Sequence, residues 1–121
     1  MNYLESLEDY LERILMLKEK LGEVRSIDIA NDMNFSKPSV SIAMKKLKDK
    51  GYIVIDDHGH IELTESGYQI ARATYDKHEL LIKLLMKIGV SEKIATEDAC
   101  KIEHALSDET VERLKELVEK L

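Results

Sequence analysis

The order of local signals between Ser26 and Thr64 constrains this chain more than any other feature in it. Ser26 has N-cap chemistry, and Ile27, Ile29, Ala30 and Met33 follow it as the apolar positions of a short helix. Asn34-Phe35-Ser36 interrupts that pattern. Pro38 then stands where a first helical turn tolerates it, with Ser36 as cap, and Val40, Ala43, Met44 and Leu47 carry a second, longer helix to Gly51. Tyr52-Ile53-Val54-Ile55 is a β-branched and aromatic run, Asp56-Asp57-His58-Gly59 has turn chemistry, and residues 60–64 form the return strand of a hairpin. Short helix, tight turn, longer helix and hairpin is the order of a winged helix-turn-helix. The competing reading is a small α+β domain that never meets nucleic acid.

The remainder is helical. One proline and five glycines in 121 residues leave few breaks. Residues 5–21 place Leu7, Leu11, Ile14, Leu15, Met16 and Leu21 at helical spacing, with Gly22 as C-cap. A long helix runs over 65–88, with Gly67 tolerated near its start and Gly89 at its end. Ser91 caps a helix to about Leu106, and Ser107 caps a last one carrying Val111, Leu114, Val118 and Leu121. The expected fold is mainly α with a small β-hairpin: a winged helix-turn-helix over residues 1–64, then a helical dimerisation domain over 65–121.

Leu80, Leu81, Ile82, Leu84, Leu85, Met86 and Ile88 crowd most faces of one helix, more than so small a domain can cover. This predicts homodimerisation through residues 65–106. No stretch approaches the ~18 apolar residues of a membrane span. The acidic start, Met1-Asn2-Tyr3-Leu4-Glu5, lacks a basic-then-apolar export signal. A lone cysteine excludes an internal disulfide framework and fits the reducing cytoplasm, the expected location.

A net charge of −6 argues, as an average, against DNA. The distribution argues otherwise. Residues 36–50 hold Lys37, Lys45, Lys46, Lys48 and Lys50 against Asp49 alone, whereas residues 1–24 hold six acids against three bases, and residues 92–121 nine against five. Lysines late in a helix also suit its dipole, which is the bland explanation. Their coincidence with the second helix of a helix-turn-helix favours double-stranded DNA. Ser36, Lys37, Ser39 and Ser41 occupy the helix start that faces base edges, while Lys45 and Lys46 suit phosphates. A two-fold dimer would address the half-sites of a palindromic operator about one DNA turn, ~34 Å, apart.

Cys100, Glu103 and His104 stand at i, i+3 and i+4, which on one helix face presents thiolate, carboxylate and imidazole together. Asp9 and Glu12 make an i, i+3 acid pair on the first helix, and His78 lies on the long helix between. This donor mixture describes a transition-metal site rather than a calcium site. The bland alternatives are a buried cysteine, two solvated acids and a structural histidine. An enzyme is not expected: the chain has no glycine-rich phosphate loop, no His-Glu-x-x-His and no nucleophile elbow. His58-Gly59-His60 reads as exposed turn residues.

These residues resemble the metal-dependent repressors typified by the diphtheria toxin repressor and the manganese transport regulator. The matching stretches are Glu8-Asp9-Tyr10-Leu11-Glu12, Ser36-Lys37-Pro38-Ser39-Val40-Ser41, Lys77-His78-Glu79-Leu80-Leu81, and the run from Asp98 to Asp108 with its Ala-Cys-x-x-Glu-His. The resemblance implies repression of metal-uptake genes, with Fe²⁺ or Mn²⁺ as cofactor, one or two ions per protomer. It implies Asp9, Glu12, His78, Cys100, Glu103 and His104 as ligands. The pattern is a hybrid. The manganese branch has glutamate at the position of Cys100, and the iron branch has methionine and arginine at those of Asp9 and Glu12. Ile82 and Thr96 occupy second-site ligand positions of the iron branch, so an iron-type second site is not expected. Nor is the family's optional C-terminal SH3-like domain. Two rival readings stay open at this point: a winged-helix regulator without a metal switch, and a helical metal-binding enzyme.

Overall fold

A computed structural model of the chain describes residues 3–121, with side chains from Ser6 onward. Met1 and Asn2, part of the stretch judged above to lack an export signal, lie outside the described residues. The element order is α1 (Tyr3–Leu21), α2 (Ser26–Met33), α3 (Lys37–Asp49), β1 (Ile53–Ile55), β2 (Ile61–Leu63), α4 (Glu65–Lys87), α5 (Glu92–Ile102) and α6 (Asp108–Lys120). The chain forms two compact units, Met1–Arg72 and Ala73–Leu121. Helix α4 therefore contributes residues 65–72 to the first unit and 73–87 to the second. Among the described residues no helix is long and apolar enough to cross a membrane.

The first unit is the expected winged helix-turn-helix. Its core gathers Leu11, Ile14 and Leu15 of α1, Ile29 of α2, Val40, Met44 and Leu47 of α3, and Ile53 and Ile61 of the hairpin, all buried. The turn between α2 and α3 is made by Asn34, which takes a left-handed conformation (φ 58°) that asparagine tolerates better than most residues. Ser36 caps α3 as expected: its Oγ accepts from the Ser39 N–H at 3.3 Å and donates to Ser39 Oγ at 2.8 Å. The strands pair antiparallel, Ile53 opposite Leu63 and Ile55 opposite Ile61. Asp56 shapes the hairpin turn by accepting from the His58 and His60 amides at 2.8 and 2.9 Å. Those amides hold its carboxyl below the usual range, the His60 contribution being the larger.

Two local expectations are corrected. Ser26 is the first residue of α2 rather than its cap; Arg25 holds the cap position, and the Asp28 carboxylate accepts its N–H at 2.9 Å. Leu21 is 51% exposed, because the buried stripe passes through Leu17 and the chain reverses at Gly22 (φ 85°). Val24, in the loop beyond, is buried instead, and its carbonyl accepts from the Ile61 N–H at 2.7 Å, so β2 is anchored outside its own hairpin.

In the second unit Ala95 and Ala99 bury one face of α5 with no side-chain bulk, and Leu81, Val111 and Val118 pack the interior from α4 and α6. Ser107 caps α6 by accepting from the Thr110 N–H at 3.2 Å. Helix α5 ends at Ile102, not near Leu106, because Ser107 must be extended (ψ 161°) to cap α6 and the chain leaves the helix before it. Met86, Ile88 and Ile94 remain exposed within this unit, at 44%, 63% and 45%.

Gly67, which the pattern alone tolerated, is required. A Cβ there would lie 2.0 Å from the Tyr52 carbonyl oxygen, against which α4 packs. Thr64 and Ser66 fasten the same junction by donating to the Gly51 carbonyl at 2.7 and 3.3 Å. Gly67→Ala is expected to destabilise the first unit by about 1–3 kcal/mol through overpacking, read as a lowered unfolding midpoint in circular dichroism.

Candidate metal centre

In the second unit the sequence brings three donor types to one buried point. His78 projects from α4, Cys100 from the last turn of α5, and Glu103 and His104 follow directly on that helix. Because α5 stops at Ile102, Glu103 is its C-cap and His104 lies in the turn, so of the three residues that the spacing places on one helix face, His104 leaves the helix. Glu103 keeps helical geometry (φ −55°, ψ −32°) and its N–H bonds the Ala99 carbonyl, which preserves its one-turn offset from Cys100.

Glu103 is only 1% exposed. Its Oε2 lies 2.9 Å from His78 Nδ1. Its Oε1 has no hydrogen-bond partner among the described residues and lies 3.4 Å from His104 Nε2. Cys100 Sγ lies 3.8 Å from the same Nδ1 of His78. A buried carboxylate is costly unless a positive group answers it. In the metal-free protein that group is a protonated His78. Its hydrogen bonds to Cys100 and then to Glu103 raise its pKa from 6.5 to about 10, against the opposing effect of burial. The sign follows: the proton on His78 stabilises the metal-free fold fully below about 6.5, and that contribution is lost as pH rises through about 10.

The arrangement suits a divalent cation. A carboxylate oxygen left without a hydrogen bond in a buried site, beside two imidazoles and a thiol, is the donor chemistry of a first-row transition ion. Asp9 and Glu12, the other predicted ligands, belong to the first unit, one helical turn apart on α1, with Glu12 buried and Asp9 half-buried. The two remaining histidines are otherwise engaged or exposed. His60 turns its ring nitrogens to two different carboxylates, Nε2 to Glu23 and Nδ1 to Asp56, both at 3.3 Å, and ties the hairpin to the loop after α1; His58 is exposed at the tip.

The predicted DNA residues all lie on the outer surface of α3 and its cap. Ser36, Lys37, Ser39, Ser41, Lys45 and Lys46 are all exposed, opposite the buried Val40, Met44 and Leu47. Ser36 and Ser39 spend hydrogen-bonding capacity on each other in the cap. Ser41 and Lys45 line a cleft of about 360 Å³ that also includes Lys48 and Ile55 of β1. Ile42, an exposed apolar residue of the same surface, lies off the apolar stripe, and periodicity, which marks residues for burial, gives it no weight.

Residues 2–61 match the N-terminal DNA binding domain of the iron dependent repressors, and residues 64–121 match their metal binding and dimerisation domain. A relative in Methanocaldococcus jannaschii, described as an uncharacterized HTH-type transcriptional regulator, is 43% identical over 118 residues, 96% of this chain and 94% of the relative. The HTH-type transcriptional regulator MntR of Geobacillus kaustophilus is 37% identical over 94% of this chain and 81% of its own length. Among solved structures, that of the manganese regulator SloR superposes with a TM-score of 0.82 at 33% identity, over 93% of this chain; the chain spans about half (53%) of its length. The buried acid–imidazole–thiol cluster thus falls in the segment that matches a metal-binding domain, α3 falls in the one that matches a DNA-binding domain, and the chain belongs to the iron-dependent repressor family of metal-dependent transcriptional regulators.

Proposed function

We propose that this protein is a cytoplasmic, homodimeric repressor that binds a palindromic operator of metal-uptake genes when Fe²⁺ or Mn²⁺ is bound, and that it is not an enzyme. The observation that carries the reading is Glu103: a fully buried carboxylate with one oxygen lacking a hydrogen bond, set against His78, His104 and Cys100.

His78, Cys100, Glu103 and His104 hold the ion together with Asp9 and Glu12, one or two ions per protomer. A bound divalent cation supplies the positive charge that these anionic donors lack. The rest of the design belongs to the chain. Glu103 orients His78 through its Oε2, and His78 gives up its proton when it becomes a ligand. The carboxylates suit Mn²⁺ and the Cys100 thiolate suits softer Fe²⁺; manganese regulators among the relatives support the first, and the thiol at this position the second. Metal shifts the protein toward DNA only as far as it prefers the DNA-competent arrangement, typically ~1–3 kcal/mol of coupling. Neutralising Asp9, Glu12, Cys100 and Glu103 also reduces the repulsion between an acidic chain and DNA. Exposed Met86, Ile88 and Ile94 are the apolar surface that a second copy covers.

Glu103→Gln is expected to weaken metal-activated operator binding about tenfold or more while leaving the dimer intact, read by fluorescence anisotropy with Mn²⁺ titration and by sedimentation. Unchanged metal dependence would remove Glu103 from the site. Since His78 is protonated up to about pH 10 without metal, ion binding near pH 7.5 should release a proton and strengthen as pH rises. Calorimetry in buffers of different ionisation enthalpy measures that release, which His78→Gln should reduce by the His78 proton, leaving that of the Cys100 thiol. Lys45→Ala should weaken binding to all duplexes alike and flatten the salt dependence by roughly one phosphate contact, a slope change of ~0.9; an unchanged slope would deny it the phosphate role. Equal duplex affinity with and without chelator would favour a regulator with no metal switch.

A further inference from the structure

We propose that Ile42 is a specificity-determining residue that reads the 5-methyl group of thymine in the major groove. This rests on the DNA-binding reading above. Ile42 is 59% exposed, the highest value among the exposed large hydrophobic residues described in the first unit. The helix turns about 100° per residue. Val40, Met44 and Leu47 define the buried face of α3, and Ile42 stands about half a turn from it, on the outermost line of the helix. Lys45 and Lys46 follow one turn later on the same outer surface, and both are exposed.

Nothing in the fold asks for isoleucine at this position. A β-branched side chain is a weaker helix former than alanine, lysine or glutamine, and burial is not its compensation here. Of the polar residues near it, Ser36 and Ser39 bond each other in the cap of α3, while Lys37 and Ser41 are exposed beside it. The outer face thus offers DNA cations for phosphates, the Ser41 hydroxyl, and one apolar side chain, Ile42, between cap and lysines. In the major groove the thymine methyl is the one apolar group on a base edge. An isoleucine against it gains contact area. Against cytosine, guanine or adenine the same side chain would desolvate a donor or acceptor without replacing the hydrogen bond.

The test uses the full chain with Mn²⁺. Duplexes are enriched from a randomised pool, and each thymine of the enriched sequence is then replaced singly by deoxyuridine, which lacks only the 5-methyl group. At one thymine of each half-site the wild type should lose affinity about fourfold, the value of burying one methyl-sized group. Ile42→Ala, which removes the contact in both half-sites of a dimer, should bind the methylated duplex about sixteenfold more weakly and be indifferent to uracil there. An exposed helical position accepts alanine, and circular dichroism should be unchanged. An equal uracil effect in wild type and Ile42→Ala overturns the proposal while leaving DNA binding standing. So does a wild type indifferent to every uracil, whatever the variant does. If no duplex is enriched at all, the DNA-binding reading fails and this proposal fails with it.

Discussion

A carboxylate taken out of water has to be answered by positive charge, and in this protein Glu103 is that carboxylate. It is 1% exposed, and its two oxygens face different partners: Oε2 meets His78 Nδ1 at 2.9 Å, and Oε1 lies 3.4 Å from His104 without a hydrogen bond. Replacing water around a buried anion costs more than most single interactions in a small domain return. A proton on His78 meets that cost in the metal-free protein, with Cys100 at 3.8 Å assisting. On the proposed reading, a divalent ion would meet it instead and would also engage the thiol. Proton and metal would then compete for one buried negative charge, as a sensor requires and a structural ion pair does not.

The second constraint is where acid and base are kept. An overall charge of −6 belongs to a chain whose terminal segments hold most of the acid excess, while residues 36–50 are +4. The lysines stand on the outer surface of α3 and the acids of the proposed sensor are drawn inward. The same helix keeps its cap chemistry separate from its contact surface: Ser36 and Ser39 hold the first turn together, and Lys45, Lys46 and Ile42 remain outward.

Much of this was legible in the linear order. Pro38 behind Ser36, the β-branched run Ile53-Val54-Ile55, and Ser107 before the stripe of Val111 and Val118 are local signals whose physics is local, and each element appears where its signal stands. The ambiguous ends depended on competition. Ser26 offers cap chemistry, but the cap falls on Arg25, whose N–H the Asp28 carboxylate accepts. The end of α5 is decided by its successor, since Ser107 must leave helical geometry to cap α6. Val24 carried no periodic signal, and its burial comes from a strand that pairs with it from far along the chain.

Residue types and their spacing by themselves determined the element order, the basic second helix, and the acid, imidazole and thiol donors, because capping, periodicity and ligand chemistry are properties of short segments. Tertiary structure alone decided that Glu103 is buried and oriented by His78 from 25 residues away, that Gly67 lies where α4 meets the Tyr52 carbonyl, and that Ile42 faces solvent. The physical reason is that burial, and the charge state it forces on an ionisable group, depends on what the rest of the chain packs around a residue, which spacing along the sequence does not encode.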